Sequence, residues 1–280
     1  MKELYDQVSL ECSKVVTNRY STSFSLGIRV FDKRFRSPIY AIYGFVRLAD
    51  EIVDTFHEYD KADLIERFRR DTFQAIDEGI SLNPVLHAFQ EVVRKYGIES
   101  DLIHAFLDSM IMDLEYVVYD RQSYDQYIYG SAEVVGLMCL RVFTEGDGDR
   151  YDSLEEPAKK LGAAFQKVNF LRDMKSDFHD RGRIYFPSVE YHTFGLTDKA
   201  EIEMEIEKDF SDALSGIYQL PNGTKLGVYL AYQYYLRLLK RIKKCSAEQV
   251  LEQRIRVPDY YKLILLGKSA IKHQFGLIRA

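Results

Sequence analysis

The chain has 280 residues, of which 46% are hydrophobic, and a formal net charge of −5. This length suits one large helical domain or two small ones, and the acidic balance excludes nucleic acid as an expected partner. Cys12, Cys139 and Cys245 are too widely spaced for a disulfide framework or a zinc cluster, so a cytoplasmic location is expected. Neither a signal peptide nor a membrane-spanning segment is predicted, because the N-terminus is polar and the apolar runs are short.

Helices are predicted for most of the chain, because prolines are few and apolar residues recur at intervals of three and four. We predict about eight to ten helices in a single domain over 1–280, since no linker rich in glycine, proline or serine divides the chain. The predicted helices are 4–20, one that begins at Ser37-Pro38, 60–78, 84–96, 101–120, 123–143, one from Pro157 to 181, 199–216, 223–244 and a last one after Pro258.

Two of these helices each carry a pair of aspartates four residues apart, Asp50 with Asp54 and Asp173 with Asp177. Both members of a pair lie on the same helix face, where like charges repel. Aspartate is common enough in this chain that two such pairs are expected by chance, so the spacing alone carries no weight.

The neighbours of the pairs make them informative, because each pair continues a polar stripe at helical spacing between apolar residues. The stripes are Tyr43, Arg47, Asp50 and Asp54, and Gln166, Asn169, Asp173 and Asp177. Carboxylates among apolar residues are costly without partners, so two such helices facing each other predict an acidic cleft. Salt bridges to Arg47 and Arg172 are the structural alternative.

Carboxylates without histidine or cysteine favour a hard cation such as Mg²⁺ over zinc. We therefore predict that the four aspartates and Asn169 hold Mg²⁺, with Mn²⁺ as the alternative metal. Because Mg²⁺ is commonly shared with substrate phosphates, a bridged diphosphate leaving group fits this site. The basic residues that flank the stripes are candidates for binding the same oxygens. They are Arg47, Arg172, Lys175, Arg181 and Arg183.

Other catalytic patterns are missing from the sequence. It contains neither a P-loop nor the glycine-rich turn of a dinucleotide-binding fold, and the six histidines show no ligand spacing. Residues 127–136 are unusual for a helix, since the small residues at 130–132 and 136 allow either close helix packing or space for a ligand. Glu133 lies in this apolar run and needs a partner.

In combination these segments resemble the squalene/phytoene synthase family, over roughly residues 15–270. The matching segments are 21–25, the stripe 43–54, 127–136, the stripe 166–177, 181–187 and 254–258. The resemblance implies an all-α, single-domain helical bundle of the class I isoprenoid synthase type with a central cavity. It also implies prenyl diphosphate substrates. Glu133 stands where the family usually has glycine, which bears on chain-length preference and not on the reaction type.

The resemblance implies roles for residues in the matching segments. The expected catalytic residues are Asp50, Asp54, Asp173, Asp177, Tyr43, Arg47 and Tyr129. The expected substrate and diphosphate ligands are Ser23, Phe24, Gln166, Asn169, Arg172, Tyr185, Tyr235 and Arg254.

The expected reaction is the Mg²⁺-dependent head-to-head condensation of two geranylgeranyl diphosphates to phytoene, through the cyclopropyl intermediate prephytoene diphosphate. A C15 version that makes squalene or dehydrosqualene from farnesyl diphosphate is the alternative. A catalytically silent helical assembly protein is an alternative of another class. NADPH is not expected, because the reductive enzymes of the family carry a C-terminal membrane anchor that this sequence does not show.

The basic C-terminal region suggests a further partner. From Arg237 to Ala280 the chain has 11 Lys and Arg against 3 Asp and Glu, and basic residues there alternate with apolar ones. Peripheral contact with the inner face of an anionic membrane is one interpretation, and a solvated helix face is the alternative.

Overall fold

The structure, a computed structural model, describes residues 1–114 and 119–258. Within these ranges the chain forms twelve α-helices and one π-helical turn, with no strand. The helices are α1 (Lys2–Tyr20), α2 (Thr22–Arg29), α3 (Lys33–Thr55), α4 (Lys61–Glu78), α5 (Pro84–Tyr96), α6 (Ser100–Met112), α7 (Arg121–Ile128), α8 (Val134–Thr144), α9 (Gly148–Arg181), α10 (Leu196–Gln219), α11 (Lys225–Ile242) and α12 (Ala247–Glu252). The π-helical turn, Tyr129–Glu133, joins α7 to α8.

Capping residues place several helix ends where the sequence predicts them. The Asp60 side chain accepts a hydrogen bond from the backbone N–H of Asp63 at 3.0 Å and begins α4. Asn83 begins α5 in the same way, with Pro84 in the first turn. Gly79 and Gly97 end these two helices with φ of 71° and 64°, a left-handed conformation that glycine adopts without strain.

The predicted starts of the two aspartate-bearing helices are wrong. α3 begins at Lys33 and α9 at Gly148, so Pro38 and Pro157 both lie inside helices. A proline removes one backbone hydrogen bond, but burial of the preceding turns outweighs that loss. Phe35, in the first turn of α3, is completely buried, and Tyr151, in the first turn of α9, is 4% exposed.

The region between α6 and α8 also differs from the prediction. α6 ends at Met112, well short of the predicted 120, and the predicted helix 123–143 is interrupted by the π-helical turn. This turn packs closely on α6, because a Cβ added to Gly130 would lie 2.4 Å from the carbonyl oxygen of Ala105. The predicted helices 199–216 and 223–244 correspond to α10 and α11, and α12 was not predicted. The helix predicted after Pro258 lies outside the described residues.

The helices pack around two clusters of buried residues. In the first, Phe45 of α3 stacks on Phe89 with ring centroids 3.9 Å apart and contacts Phe106 at 5.3 Å. Burial of each such ring stabilises the fold by about 1.5–3 kcal/mol. The second cluster joins α9 to α10, α11 and α12, and α9 packs along both α8 and α10. In the described part of the chain, no helix combines the length and hydropathy needed to cross a membrane.

Candidate active site

The two polar stripes border the same cavity, which has a volume of about 420 Å³. Tyr43 of the first stripe lines it from α3, and Gln166 and Asn169 of the second stripe line it from α9. α2, α8, α10 and α11 complete its walls, which are predominantly apolar. Asp50 lies two turns beyond Tyr43 along α3, and Asp173 lies one turn beyond Asn169 along α9. None of the four aspartates lines the cavity itself, and Asp50 and Asp173 lie further along α3 and α9 than the residues that do.

Arginine side chains form salt bridges with aspartates of both pairs. Arg47 pairs with Asp50 on α3, and Arg172 pairs with its neighbour Asp173 on α9. These are the two salt bridges that the sequence raised as a structural alternative. They do not exclude a metal, because an arginine that neutralises a carboxylate can be displaced by a stronger cation.

Two further arginines reach the aspartates from distant segments. Nη1 of Arg183 lies 2.9 Å from Oδ1 of Asp54, and Nε of Arg254 lies 2.7 Å from Oδ1 of Asp173. The first contact joins the segment after α9 to α3, so the two aspartate helices are tied together across the site. The second places the predicted ligand Arg254 beside Asp173.

Asn169 supports the assignment of a cation to this site. Its side-chain oxygen is buried and accepts no hydrogen bond from the described part of the chain. A buried acceptor without a donor is uncommon in native structures and indicates a missing partner. A neutral oxygen ligand beside aspartate carboxylates is the donor set that a hard cation prefers. The residues present therefore fit Mg²⁺.

A buried network below Asp54 was not predicted from the sequence. Asp113 follows α6, and its carboxylate accepts hydrogen bonds from the hydroxyls of Tyr127 at 2.8 Å and Tyr185 at 3.1 Å. Nη2 of Arg183 donates to the backbone carbonyl of Asp113 at 2.6 Å. Burial raises the pKa of Asp113 to about 6, although Arg183 and the tyrosine hydroxyls act in the opposite direction. Asp113 thus fixes the arginine that contacts Asp54.

The sequence contains only a weak signal for this network. Asp113 directly continues the apolar stripe of Leu102, Phe106 and Met110 in α6, so its burial could have been suspected. Its partners, however, lie 14 to 72 residues further along the chain, and sequence spacing does not relate them.

Two pairs of stacked rings lie in the cavity wall near the aspartates. Phe24 stacks on Tyr43 with centroids 4.7 Å apart, and Phe165 stacks on Tyr235 at 4.0 Å. Three of these four residues were predicted as site residues. Burial raises the pKa of Tyr43 and Tyr235, so both hydroxyls stay neutral at ordinary pH.

The structure does not bring Tyr129 into this group. Tyr129 begins the π-helical turn, is 36% exposed and does not line the cavity. Tyr127 is 3% exposed instead, and its hydroxyl bonds Asp113. Two residues that follow each other at i and i+2 point to nearly opposite sides of a helix, so only one of the two tyrosines can face inward. Of the other predicted ligands, Tyr185 stacks on Phe170 at 4.0 Å in the Asp113 network. Ser23 lies in α2.

Glu133 lies between the cavity wall and α9 but does not line the cavity. Burial raises its pKa to about 7, and the charges of Lys160 and Lys167 of α9 oppose the shift. The backbone here is close to α9, since a Cβ on Gly162 would lie 3.1 Å from the Cα of Glu133. Glu133, which the sequence analysis relates to chain-length preference, is therefore not part of the cavity wall.

Comparison with known proteins agrees with this geometry. Residues 17–261 match the sequence profile of the squalene/phytoene synthase family. The phytoene synthase of Arthrospira platensis is 26% identical over 94% of this chain and 93% of its own length. The 4,4'-diapophytoene synthase of Staphylococcus haemolyticus is 24% identical over 90% of this chain and 92% of its own. A crystal structure of a dehydrosqualene synthase with a ligand superposes with a TM-score of 0.83 at 22% identity, covering 96% of this chain and 98% of that one.

The fold and the site define an all-α prenyltransferase of the isoprenoid synthase type. The chain belongs to the squalene/phytoene synthase family, whose members condense prenyl diphosphates head to head. The predicted fold class, enzyme class and family are thereby confirmed.

Proposed function

We propose that this protein joins two molecules of geranylgeranyl diphosphate head to head and forms phytoene through prephytoene diphosphate. The observation that carries this choice is the depth of the cavity. Along α9, the residues that line it run from Asn169 to Leu154. At a rise of 1.5 Å per residue this stretch is about 22 Å long.

This depth suits a C20 tail better than a C15 tail. With carbon–carbon bonds of about 1.5 Å, the extended main chain of a geranylgeranyl group measures about 19 Å and that of a farnesyl group about 14 Å. A farnesyl tail would leave about a third of the depth unfilled, and the apolar wall there would gain nothing from burial.

The two aspartate pairs and Asn169 are the residues that would hold Mg²⁺, with Mn²⁺ as the alternative. When bound, the metal neutralises the charge that develops on the diphosphate as its carbon–oxygen bond breaks. The arginines provide a second set of diphosphate ligands. In the structure they contact the aspartates, and a bound diphosphate offers them oxygens that guanidinium groups bind with good geometry. The residues of this set are Arg47, Arg172, Arg183 and Arg254.

The remaining chemistry needs a dry cavity rather than a protein nucleophile. The departing diphosphate takes the electron pair of the broken bond and leaves an allylic cation. The double bond of the second substrate attacks this cation, and loss of a proton closes the cyclopropane ring. A second ionisation, rearrangement and loss of a second proton give the linear product. The stacked rings of Phe24 and Tyr43 present aromatic faces to the positive charge, and the apolar walls exclude water.

The C15 reaction, from farnesyl diphosphate to squalene or dehydrosqualene, is the second candidate. It is supported by the names of the relative from Staphylococcus haemolyticus and of the dehydrosqualene synthase with the similar fold. The catalytically silent assembly protein is less well supported, because the sequence contains all four aspartates and arginines contact Asp50, Asp54 and Asp173.

The test is incubation with farnesyl and, separately, geranylgeranyl diphosphate in the presence of Mg²⁺, with gas chromatography of the organic extract and measurement of diphosphate release. We expect phytoene from the C20 substrate, and a loss of at least about 100-fold in Asp50→Asn and in Asp177→Asn with an unchanged helical circular-dichroism signal. Product from the C15 substrate alone would establish the second candidate. Folded protein that releases no diphosphate would favour the assembly protein.

Membrane contact of the basic C-terminal region and a cytoplasmic location stay predictions. Much of this region, 259–280, lies outside the described residues. Binding to anionic liposomes at low salt, reduced by added salt, is the expected result if the basic residues contact lipid headgroups. Lack of binding to such liposomes would favour the solvated helix face.

A further inference from the structure

The end of the cavity that is remote from the aspartates is closed by a thin apolar wall. Phe143, at the end of α8, and Leu220, directly after α10, both line the cavity. The same two side chains also line a second pocket, of about 430 Å³, on the outer side of the molecule. Because they border both spaces, Phe143 and Leu220 form the partition between them.

The outer pocket differs in chemistry from the cavity. Its lining includes the basic side chains of Arg34, Arg150 and Lys225, and Nη1 of Arg34 lies 3.1 Å from Oε2 of Glu145. The cavity lining near the wall consists instead of apolar residues such as Leu154 and Ile217. The partition therefore separates a space suited to a hydrocarbon tail from one suited to water.

Neighbouring rings hold the partition in place. Phe143 packs edge-on against Phe31 with centroids 5.3 Å apart and against Phe35 at 6.1 Å. Phe143 is 6% exposed and Leu220 is 8% exposed. The backbone N–H of Leu220 donates to the carbonyl of Gly216 at 3.1 Å, which fixes the chain where α10 ends. A tail that reaches this wall meets packed side chains with no space to move into.

The lining stretch that ends at the partition is about as long as an extended C20 tail. On α8 and the turn before it, the cavity-lining residues run from Ser131 to Phe143. These positions are separated by about 18 Å. The extended geranylgeranyl chain measures about 19 Å, and the farnesyl chain is about 5 Å shorter.

We propose that Phe143 and Leu220 set the upper limit on the length of the prenyl tail, and that truncating either side chain lengthens the apolar cavity enough to accept a longer tail. The inference rests on the proposed function, since it concerns the substrate of the same cavity. It identifies a specificity determinant at the opposite end of the cavity from the aspartates and arginines.

The test is a competition between geranylgeranyl diphosphate and the C25 geranylfarnesyl diphosphate, with the products quantified by mass spectrometry. We expect Phe143→Ala and Leu220→Ala each to raise the C25:C20 ratio of kcat/KM by at least about ten-fold over wild type. A competition ratio does not depend on the amount of folded enzyme. Leu220→Ala changes a residue outside the helix interior, so it also provides the test if Phe143→Ala does not fold.

Phe35→Ala is the matched control. Phe35 is a completely buried phenylalanine that contacts Phe143 from behind and does not line the cavity, so its loss disturbs packing without opening the wall. Its C25:C20 ratio should stay within about two-fold of wild type. As a second readout, an unreactive C25 thiolodiphosphate should raise the melting temperature of the two wall variants more than that of wild type.

The outcomes separate this inference from the proposed function. If wild type makes a C40 product and neither wall variant changes the ratio, or if Phe35→Ala changes it equally, the wall is not the determinant and the proposed function stands. If wild type releases no diphosphate from any prenyl substrate, the proposed function fails and the inference fails with it.

Discussion

Glu133 provides a test of the electrostatics of this fold, because its side chain is half-buried beside α9. Burial raises its pKa to about 7 from the ordinary value of 4.5, against the opposing charges of Lys160 and Lys167. Since the folded state holds this proton more tightly than the unfolded state, ionisation of Glu133 costs stability. The stabilising contribution of the protonated form is complete below the ordinary pKa and is lost as the pH rises through the folded pKa.

The expected change in stability follows from the size of the pKa shift of Glu133. At about 1.36 kcal/mol per pKa unit, the shift corresponds to an upper limit of about 3.4 kcal/mol. Glu133 is partly exposed, so solvent screening reduces the expected effect to about 1–2 kcal/mol. Glu133→Gln removes the ionisation, and we therefore expect the variant to be more stable than wild type by this amount at about pH 8. The two proteins should be equally stable at or below about pH 4.5.

The assay is urea-induced unfolding followed by circular dichroism at a series of pH values. Glu205→Gln is the opposite-sign control. Burial alone would raise the pKa of Glu205, but hydrogen bonds from Arg121 and Lys167 outweigh it and keep the pKa below its ordinary value. This variant should therefore be less stable than wild type at neutral pH, and the difference should vanish as the pH falls through the folded pKa of Glu205.

The reasoning would be refuted if the difference in free energy of unfolding between Glu133→Gln and wild type did not change with pH. It would also be refuted if the variant were less stable than wild type at high pH. Product length is a separate readout. Because Glu133 does not line the cavity, Glu133→Gln should leave the ratio of C15 to C20 use unchanged. A changed ratio would show that the charge acts on the substrate after all.

Three further predictions follow from the site and its packing. Asp113→Asn removes the charge that fixes Arg183, so kcat/KM for the prenyl diphosphate should fall by about ten-fold or more with the circular-dichroism spectrum kept; normal kinetics would contradict this role. Gly162→Ala should lower the free energy of unfolding by about 1–3 kcal/mol, because its Cβ would lie 2.7 Å from the carbonyl oxygen of Ala132. Gly148→Ala is the control, because no atom lies within 4 Å of the added Cβ, and it should change the free energy of unfolding by less than about 0.5 kcal/mol in the same urea titration. Removal of divalent cations with EDTA should stop diphosphate release, and Mg²⁺ or Mn²⁺ should restore it; release that persists in EDTA would argue against the metal site.

Local chemistry explains which helix boundaries could be predicted. The end of α9 at Gly182, with φ of 69°, is a property of one residue and could be predicted from it. The starts at Lys33 and Gly148 could not, because each helix continues N-terminal to its proline through side chains such as Phe35 that are buried by distant segments. A proline rule describes a helix in isolation, whereas burial in the core decides these two cases.

The same difference between local and long-range contacts decides which parts of the site could be predicted. Arg47 with Asp50 and Arg172 with Asp173 are neighbours on their own helices, so the sequence indicates these pairs. The contact of Arg183 with Asp54 spans 129 residues, and the hydrogen bond of Arg254 to Asp173 spans 81. Such contacts depend on how the helices pack, and the choice between Tyr127 and Tyr129 depended on that packing as well.

These long-range arginines explain how the acidic site can form at the mouth of an apolar cavity. Carboxylates brought together beside a low-dielectric space repel each other, and the cost rises as water is excluded. Arg183, fixed by the Asp113 network, places a positive charge between the two aspartate helices and offsets that repulsion. If the aspartates hold the substrate diphosphate, as proposed above, the same guanidinium is placed beside Asp54 to bind it, so one residue would serve both the stability of the site and the recognition of its substrate. For this reason Arg183→Gln should weaken diphosphate binding and also lower the melting temperature, whereas loss of a residue that only binds the substrate would weaken binding and leave the melting temperature unchanged.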